Sequence, residues 1–368
     1  MTAPVSFLFA GGATGGHLFP GIAVAETLSG VADRIGFVGT GTDLERGEAA
    51  SRGYDFFCVP AISTTDLRRR PLRSLVGAWT SFRQALQVVR QFEPTAVIGL
   101  GGFASVPTVL AAKRLGVPVT LLEQNVIPGR ATRWLSRRAE RVCLAYEETR
   151  AALPLSGGCR WTGNPVRNSG PIGTRETDKP LLLVLGGSQG SRSLNAAVPA
   201  ALSMIEATGS LWDVVHQCGT GDVDEVQSAY RTAGWNARVE PFLKNPQQWL
   251  ARAELVVARA GATTLAEIAC EGVAVVLVPY PYATDDHQRA NADWYVNRGA
   301  AKMVEETGGI SKLKTGLADE VGRLLRSEAS RRTLAGAIKQ LGRPEATSAV
   351  VAVVSEVAGI DLYRSSTV

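Results

Sequence analysis

The chain has 368 residues, of which 45% are hydrophobic and 20% charged, and this composition excludes a disordered chain and predicts two folded domains. No apolar run approaches the roughly 18 residues that a membrane-spanning helix needs. Five cysteines without CxxC spacing and only three histidines argue against a disulfide framework or a structural zinc site and indicate reduced, cytoplasmic thiols. The opening VSFLFA lacks a basic leader, so we interpret it as a first strand and not as a signal peptide.

The net charge of +5 is unevenly placed. Two arginine-rich segments of the first half, 66–92 and 128–141, carry much of the basic charge. This asymmetry predicts an anionic partner and leaves nucleic acid, acidic lipid and a phosphorylated substrate open.

Apolar runs of strand length alternate with helical patterns, as is typical of α/β units around parallel sheets. In the first half the predicted strands are 5–10, 34–39, 54–59, 95–100, 117–122 and 141–145. After a linker-like segment rich in glycine and proline, 163–180, they are 181–185, 212–217, 237–240, 254–258 and 274–278. Each half opens with a strand and a glycine turn, which predicts two Rossmann-like, doubly wound domains with a ligand in the cleft between them. We set these domains at 1–166 and 167–343, and expect a helix in 344–368 that packs back on the first.

The first glycine turn, Gly11 to Gly16, fits three kinds of phosphate loop. It has the GxxxxG spacing of a P-loop, but His17 and Leu18 stand where that loop needs lysine and a hydroxyl. A dinucleotide loop would need an acidic residue after the second strand, and none is present. What remains is a turn whose amides face an anionic or polar ligand, or a tight turn with no ligand.

His17 opens the helix that follows this turn. The helix dipole disfavours imidazolium there, so a neutral imidazole that acts as a general base is one hypothesis. A histidine that only hydrogen-bonds the turn is the equal alternative.

Residues 256–272 predict a strand, a glycine turn and a helix whose N-terminal amides, at Ala262, Thr263 and Thr264, could hold a phosphate. Glu267 lies one turn further along and could accept both hydroxyls of a ribose. Thr264 and Glu267 also have the spacing of a capping box, which the spacing alone slightly favours.

Two more polar clusters follow predicted strands. His287, Gln288 and Asn291 suit sugar hydroxyls, or belong to a helix capped by Asp285 or Asp286. Ser188 in GGSQGS offers another phosphate contact. With no Walker lysine, metal cluster or Ser-His-Asp signature, these clusters favour group transfer from a nucleotide-activated donor.

In combination, the motifs resemble those of the MurG family of glycosyltransferase family 28, whose members convert lipid I to lipid II in peptidoglycan synthesis. The resemblance covers residues 5–345 and rests on GGATGGHLFPGIAVAETL, GLGGFASVPTVLAAKRLGVPVTLLEQNVIPG, GNPVR, LLVLGGSQGSRSLN, RAGATTLAEIACEG and DDHQRANA. It implies a GT-B fold and an inverting transfer of N-acetylglucosamine from UDP-N-acetylglucosamine to the 4-hydroxyl of lipid I, giving a β-linked product. Ala13 departs from the family, which usually has glycine before the threonine of this turn.

The resemblance also implies roles for individual residues. It places Leu243 at the uracil, Glu267 at the ribose, Ser188, Arg167, Ala262 and Thr263 at the diphosphate, and His287 and Gln288 at the donor sugar. Thr264, Leu265 and Ala266 complete the donor-binding turn, and Thr14, Gly15, Gly16 and Asn125 line the acceptor side. His17, with Glu123 as its neighbour, is the implied catalytic base.

Because the family's acceptor is bound to a membrane, the basic segment 66–92 is a candidate for membrane contact. Its apolar residues have helical spacing, and we expect most of them to pack on the first sheet while the basic start, Arg68 to Arg70, contacts anionic lipid. These residues are Leu72, Leu75, Val76, Trp79, Phe82, Leu86 and Val89. The expectation is therefore a peripheral enzyme at the cytoplasmic face of the cell membrane, within a cell-wall synthesis complex that shapes and divides the cell. No nucleic acid partner and no required cofactor are expected, although a divalent cation such as Mg²⁺ could assist without a visible ligand set.

Three other functions stay open at this point. Two share the fold: a glycosyltransferase for another lipid and a UDP-sugar epimerase. The third is a nucleotide-binding regulator without catalysis.

Overall fold

The structure, a computed structural model, describes residues 4–12, 14–61, 71–154, 158–167, 178–187, 189–205 and 211–361. The chain divides into two compact units. Unit 1 comprises Met1–Arg167 and Pro344–Val368, and unit 2 comprises Asn168–Arg343. The boundaries set from the sequence were 166/167 and 343/344.

Unit 1 is built on a parallel sheet of seven strands in the order β3-β2-β1-β4-β5-β6-β7. The strands are β1 Ser6–Ala10, β2 Arg34–Gly39, β3 Asp55–Cys58, β4 Ala96–Gly99, β5 Val119–Glu123, β6 Arg141–Leu144 and β7 Cys159–Trp161. The helices are α1 Gly15–Leu28, α2 Asp43–Ala50, α3 Pro71–Phe92, α4 Gly102–Arg114, α5 Arg130–Leu135 and, from the end of the chain, α13 Ala346–Ala358. The strand order reverses between β1 and β4, which makes the loops after these two strands the expected place for a ligand.

Unit 2 repeats this plan with six parallel strands in the order β10-β9-β8-β11-β12-β13. They are β8 Leu181–Leu185, β9 Asp213–Gln217, β10 Ala237–Glu240, β11 Ala253–Ala258, β12 Ala274–Leu277 and β13 Lys302–Met303. The helices are α6 Arg192–Leu202, α7 Val223–Thr232, α8 Pro246–Leu250, α9 Ala262–Glu271, α10 His287–Val296, α11 Gly309–Arg326 and α12 Glu328–Leu341. Here the order reverses between β8 and β11. The prediction of two doubly wound α/β domains is confirmed.

The cores follow from strands that are buried on both faces. β1, β4, β5, β8 and β12 consist entirely of buried residues, as expected where helices cover both sides of a parallel sheet. In unit 1, Leu18 and Ile22 of α1 share a buried cluster with Val350 and Val354 of α13. The last helix therefore contributes to the core of the first domain, and Arg141 of β6 pairs with Glu356 of α13 at 3.0 Å.

Helix α3 departs from the burial expected for its apolar stripe. Val89 is buried and Phe82 and Leu86 pack against the core, whereas Leu75, Val76 and Trp79 are 61%, 68% and 60% exposed. The expectation that most of the stripe is buried is thus wrong for its N-terminal half. Leu72 lies in the helix without a described side chain, and Arg68 to Arg70 lie outside the described residues.

No helix in the described part of the chain is both long and apolar enough to cross a bilayer.

Candidate active site

In unit 1 the first glycine turn leads directly into α1. Gly11 continues the sheet by donating its N–H to the Val38 carbonyl at 2.9 Å. Thr14 is the N-cap residue of α1, yet its side chain does not cap the helix. Its hydroxyl instead lies 3.2 Å from Nδ1 of His17. Gly15 is buried, Gly16 is exposed, and Ala13 lies outside the described residues.

The other edge of the His17 ring packs against the turn after β4. A Cβ atom on Gly101 would lie 3.0 Å from His17 Cδ2 and 3.3 Å from Nε2, and Gly101 has a φ of +95°. Only glycine meets both demands without strain. Gln124, a residue that sequence reasoning missed, holds this turn by donating to the Leu100 carbonyl at 3.0 Å. His17 is therefore held between the two loops of the β1/β4 switch point. In the tautomer that shares an Nδ1 proton with Thr14, the lone pair is on Nε2.

Glu123, the last residue of β5, organises the loop that carries Asn125. It is 3% exposed, and its Oε1 accepts the Asn125 backbone N–H at 3.0 Å and the Asn125 side-chain amide at 3.3 Å. Its Oε2 accepts the Gly129 N–H at 3.0 Å. Burial raises the pKa of this carboxyl above its usual value, although these hydrogen bonds act in the opposite direction. The geometry describes a carboxylate that shapes a loop and positions Asn125.

Arg167 ends the GNPVR motif and belongs to unit 1. Its guanidinium carbon lies 4.0 Å from the centroid of the Phe19 ring of α1. This cation–π contact places the arginine beside the helix that His17 opens.

In unit 2 the turn after β11 starts α9 at Ala262, with Gly261 as the N-cap residue and no side-chain cap. Thr264 is therefore the third residue of the helix and Glu267 the sixth. A capping box needs the hydroxyl at the N-cap and the acid at the third position, so the capping-box interpretation of Glu267 is wrong. Ala262, Thr263 and Leu265 are buried, and Thr264 and Ala266 are half-buried. The first turn of a helix favours an anion through its amides and dipole.

Glu267 is 5% exposed, and its Oε1 accepts a hydrogen bond from the Gln247 side chain at 2.7 Å. Gln247 lies on α8 and was not singled out from the sequence. A buried carboxylate held by an amide keeps a fixed orientation, which suits the recognition of paired hydroxyls.

The loop after β8 and the segment of Leu243 are tied together by Gln217, another residue that sequence reasoning missed. Its side chain donates to the Gly187 carbonyl at 2.6 Å and accepts the Leu243 N–H at 3.3 Å. The amide of Leu243 is therefore engaged inside the protein. Ser188 of the same loop lies outside the described residues.

The segment after β12 leads into α10. Gln288 Oε1 accepts the Tyr280 N–H at 3.0 Å, and His287 Nδ1 lies 2.8 Å from the Thr284 carbonyl. Asp286 occupies the N-cap position with a left-handed φ of 52° and makes no side-chain cap. The alternative with Asp285 or Asp286 as the N-cap is therefore correct in position, at Asp286, but not in the side-chain hydrogen bond expected of such a cap. Asn291 is fully buried and donates to the Ala260 carbonyl at 3.2 Å, which ties α10 to the turn before α9.

Among the described residues, no three histidine, cysteine or acidic side chains are placed to hold a metal ion. Participation of a divalent cation stays a prediction.

Comparison with known proteins identifies relatives of both halves. Residues 7–144 match the model of the glycosyltransferase family 28 N-terminal domain, and residues 181–341 match that of its C-terminal domain. A Methylococcus capsulatus protein named UDP-N-acetylglucosamine–N-acetylmuramyl-(pentapeptide) pyrophosphoryl-undecaprenol N-acetylglucosamine transferase is 37% identical over 356 residues, 95% of this chain and 97% of the relative.

Solved structures show the same relationship. The crystal structure of Acinetobacter baumannii MurG matches with a TM-score of 0.74 and 31% identity, over 96% of this chain and 100% of that chain. A structure described as a UDP-N-acetylglucosamine 2-epimerase from Listeria monocytogenes matches with a TM-score of 0.71 and 12% identity, over 96% of this chain and 97% of that one. The second match shows the fold alone. The two Rossmann-like domains are those of the GT-B fold, as the sequence predicted.

Proposed function

Because the chain belongs to glycosyltransferase family 28, we propose that it transfers N-acetylglucosamine from UDP-N-acetylglucosamine to the 4-hydroxyl of the N-acetylmuramoyl unit of lipid I, giving lipid II. The observation that carries this proposal is the orientation of His17 by Thr14 on one edge and by Gly101 on the other. Such a histidine can take a proton from a hydroxyl group at the point where the strand order of unit 1 reverses.

The reaction is a single displacement. The acceptor oxygen forms a bond to C1 of the donor sugar while the bond from C1 to the diphosphate oxygen breaks, and His17 Nε2 takes the hydroxyl proton. The anomeric centre inverts and UDP leaves with the negative charge. The N-terminal turn of α9 stabilises that charge through its amides and helix dipole, with Arg167 and Ser188 as further diphosphate contacts.

The donor contacts divide by position along the ligand. Glu267, held by Gln247, binds the ribose hydroxyls. The Leu243 N–H is bound to Gln217, so recognition of uracil at this residue uses its carbonyl. Gln288 gives its oxygen to Tyr280 and offers its NH₂ group to the sugar, beside His287.

The acceptor side belongs to unit 1 in this proposal. Thr14, Gly15, Gly16 and Asn125 contact the acceptor, and Glu123 acts through Asn125 by fixing its backbone and side chain. This changes Glu123 from a neighbour of the base to a positioning residue.

The enzyme works at the cytoplasmic face of the membrane in this proposal, where its lipid-linked acceptor lies. The exposed side chains of Leu75, Val76 and Trp79 support this location, and the ring of Trp79 is covered by Arg83 at 4.7 Å. An apolar patch with a cation beside it suits the interface of an anionic bilayer.

Incubation with labelled UDP-N-acetylglucosamine, with and without lipid I, tests the proposal. We expect label in lipid II and release of UDP only when lipid I is present. Conversion of the donor to its 2-epimer without an acceptor would support the epimerase alternative. Donor binding without turnover under any condition would support a regulator.

A further inference from the structure

A buried arginine in unit 2 contacts residues that follow three strands of its sheet: β8, β12 and, through Glu306, β13. Arg259 directly follows β11 and is 8% exposed. Its Nε and Nη2 donate to the Ser191 hydroxyl at 3.1 and 2.8 Å, and Nη2 also donates to the Ser193 hydroxyl at 2.6 Å. Ser191 closes the loop after β8 and is the N-cap of α6. We refer to the described residues of this loop, 186–187 and 189–191, as the phosphate loop.

The other edge of the same guanidinium binds the segment after β12. Nη1 donates to the carbonyls of Val278 and Pro279 at 3.1 and 3.3 Å, and Glu306 Oε2 lies 2.6 Å away from it. The guanidinium also lies 5.5 Å from the centroid of the Tyr280 ring. Tyr280 in turn donates its N–H to Gln288 Oε1 at 3.0 Å. We refer to residues 278–280 as the sugar segment.

The topology explains why one side chain reaches both loops. β8, β11 and β12 are neighbours in the sheet and run parallel, so their carboxyl ends meet at one edge. Arg259 stands at the end of the middle strand. Its planar guanidinium carries donors on two edges, and these edges face the phosphate loop and the sugar segment.

We propose that Arg259 is a positioning residue that couples the phosphate loop to the sugar contact Gln288. The inference rests on the proposed function, because it takes Gln288 and the phosphate loop as donor contacts. Arg259 fixes the spacing between them, so that the diphosphate and the sugar of one donor molecule are bound together. The uridine end does not depend on Arg259: Gln247 holds Glu267, and Gln217 holds Leu243 together with the Gly187 end of the phosphate loop.

This arrangement predicts a selective defect. Arg259→Lys keeps the charge and loses the two-edged geometry, so it should weaken UDP-N-acetylglucosamine binding about tenfold or more, as expected when charge-assisted hydrogen bonds are lost. Binding of UMP, which lacks the sugar and the second phosphate, should stay within about twofold. In lipid I assays the donor KM should rise with a smaller change in kcat.

Arg331 provides a matched control within the same unit. It is 9% exposed, donates to the carbonyls of Leu324 and Leu325 at 2.7 and 3.2 Å, and lies 4.9 Å from the ring centroid of Trp212. Trp212 precedes β9, so this arginine lies at the amino ends of the strands. Arg331→Lys therefore measures what the loss of a buried guanidinium does to the unit as a whole.

Calorimetric titration of wild type, Arg259→Lys, Ser193→Ala and Arg331→Lys with UMP and with UDP-N-acetylglucosamine tests the inference. The affinity for UDP-N-acetylglucosamine divided by the affinity for UMP should fall strongly in Arg259→Lys and less in Ser193→Ala. This ratio should stay at the wild-type value in Arg331→Lys. Equal weakening of both ligands in Arg259→Lys, no weakening of either, or the same change of ratio in Arg331→Lys would overturn it.

Two further outcomes are decisive. If Arg259→Lys does not fold, an unchanged ratio in Ser193→Ala overturns the inference and a lowered ratio supports it. If the wild type binds UDP-N-acetylglucosamine no more tightly than UMP, the proposed function fails and the inference fails with it. If the wild type does bind UDP-N-acetylglucosamine more tightly, a negative result for the variants counts against the inference alone.

Discussion

The two units support several of the loops that follow their strands with side chains of opposite polarity. In unit 1 buried carboxylates accept backbone N–H groups: Glu45 takes those of Thr40, Gly41 and Thr42 at 3.2, 2.9 and 2.8 Å, and Glu123 takes those of Asn125 and Gly129. In unit 2 buried donors bind carbonyl oxygens: Arg259 those of Val278 and Pro279, and Asn291 that of Ala260.

The difference fits the ligands proposed for each unit. A loop held through its carbonyls does not use its N–H groups for that support, which suits an anionic diphosphate. A loop held by carboxylates uses those N–H groups for its own support and has fewer of them to offer to an anion. Two copies of one fold thus come to differ through the buried side chains beneath their loops.

The largest expected effect comes from removing the base in unit 1. His17→Ala should lower kcat by about 10²–10⁴, the usual contribution of general base catalysis, with the affinity for the donor unchanged. Thr14→Val keeps the imidazole and loses its Nδ1 partner, so a smaller loss is expected. Steady-state kinetics with lipid I measure kcat, and titration with UDP measures the affinity for the nucleotide part of the donor. A His17→Ala enzyme with wild-type kcat would remove the chemical role assigned to unit 1.

The next effect concerns the ribose contact in unit 2. Glu267→Ala should raise the donor KM about 10- to 100-fold, because charge-assisted hydrogen bonds to the ribose are lost. Glu271→Ala, at the other end of α9, is the matched control and should leave KM within about twofold. Unaltered donor affinity in Glu267→Ala would contradict the assignment of donor binding to unit 2.

Glu45, whose carboxylate supports the loop after β2, should affect the stability of the protein and leave its affinity for the donor unchanged. Glu45→Gln should cost about 2 kcal/mol of unfolding free energy, since three backbone amides lose a charged acceptor. Glu48→Gln lies on the same helix and breaks the partly exposed pair with Arg52 at 2.7 Å, for a cost below about 1 kcal/mol. Denaturant unfolding gives the free energies and UDP titration the affinities. A clear loss of UDP affinity in Glu45→Gln would break the comparison.

The two units should also respond differently to acid. Burial lowers the pKa of His216 on β9 to about 3, and its Nδ1 lies 2.9 Å from the Tyr230 hydroxyl. The unfolded chain binds a proton on His216 below about pH 6.5 and the folded chain does not. His216 should therefore cost about 1.4 kcal/mol of stability per pH unit as the pH falls from 6.5 towards 3. The raised pKa of the Glu123 carboxyl has the opposite sign: it makes the folded state of unit 1 gain stability as that group becomes protonated.

Hydrogen exchange at pH 7 and pH 5 should therefore show β9 losing protection of about 2 kcal/mol relative to β5. The double variant His216→Phe with Tyr230→Phe removes both polar partners together and should abolish the loss of protection in β9. Equal loss of protection in both strands would show that other groups control the acid response.

The sequence predicted those parts of the molecule that local patterns encode. All 11 strands expected from apolar runs are present within a few residues of their predicted bounds. β7 and β13 were missed, because CRW and KM have no apolar run and become strands only by pairing with a neighbour. The glycine turns and the helices that follow them were likewise found from residue type and spacing.

The tertiary structure decided what depends on distant neighbours. It excluded the capping box at Glu267 by starting α9 at Ala262, and it made Glu123 the support of its own loop. Arg259, Gln217 and Gln124 have no local motif that marks them, because their partners lie in loops that follow other strands and only the parallel pairing brings those loops together. The sequence also did not predict that Leu75, Val76 and Trp79 are exposed. The same apolar spacing occurs in a helix that is covered along its whole length and in one that is covered along half of it. The sequence by itself therefore determined the two Rossmann-like sheets and the family, because periodicity and motifs are local. The choice of which buried groups hold the loops was made by packing, because that choice is a property of contacts between distant segments.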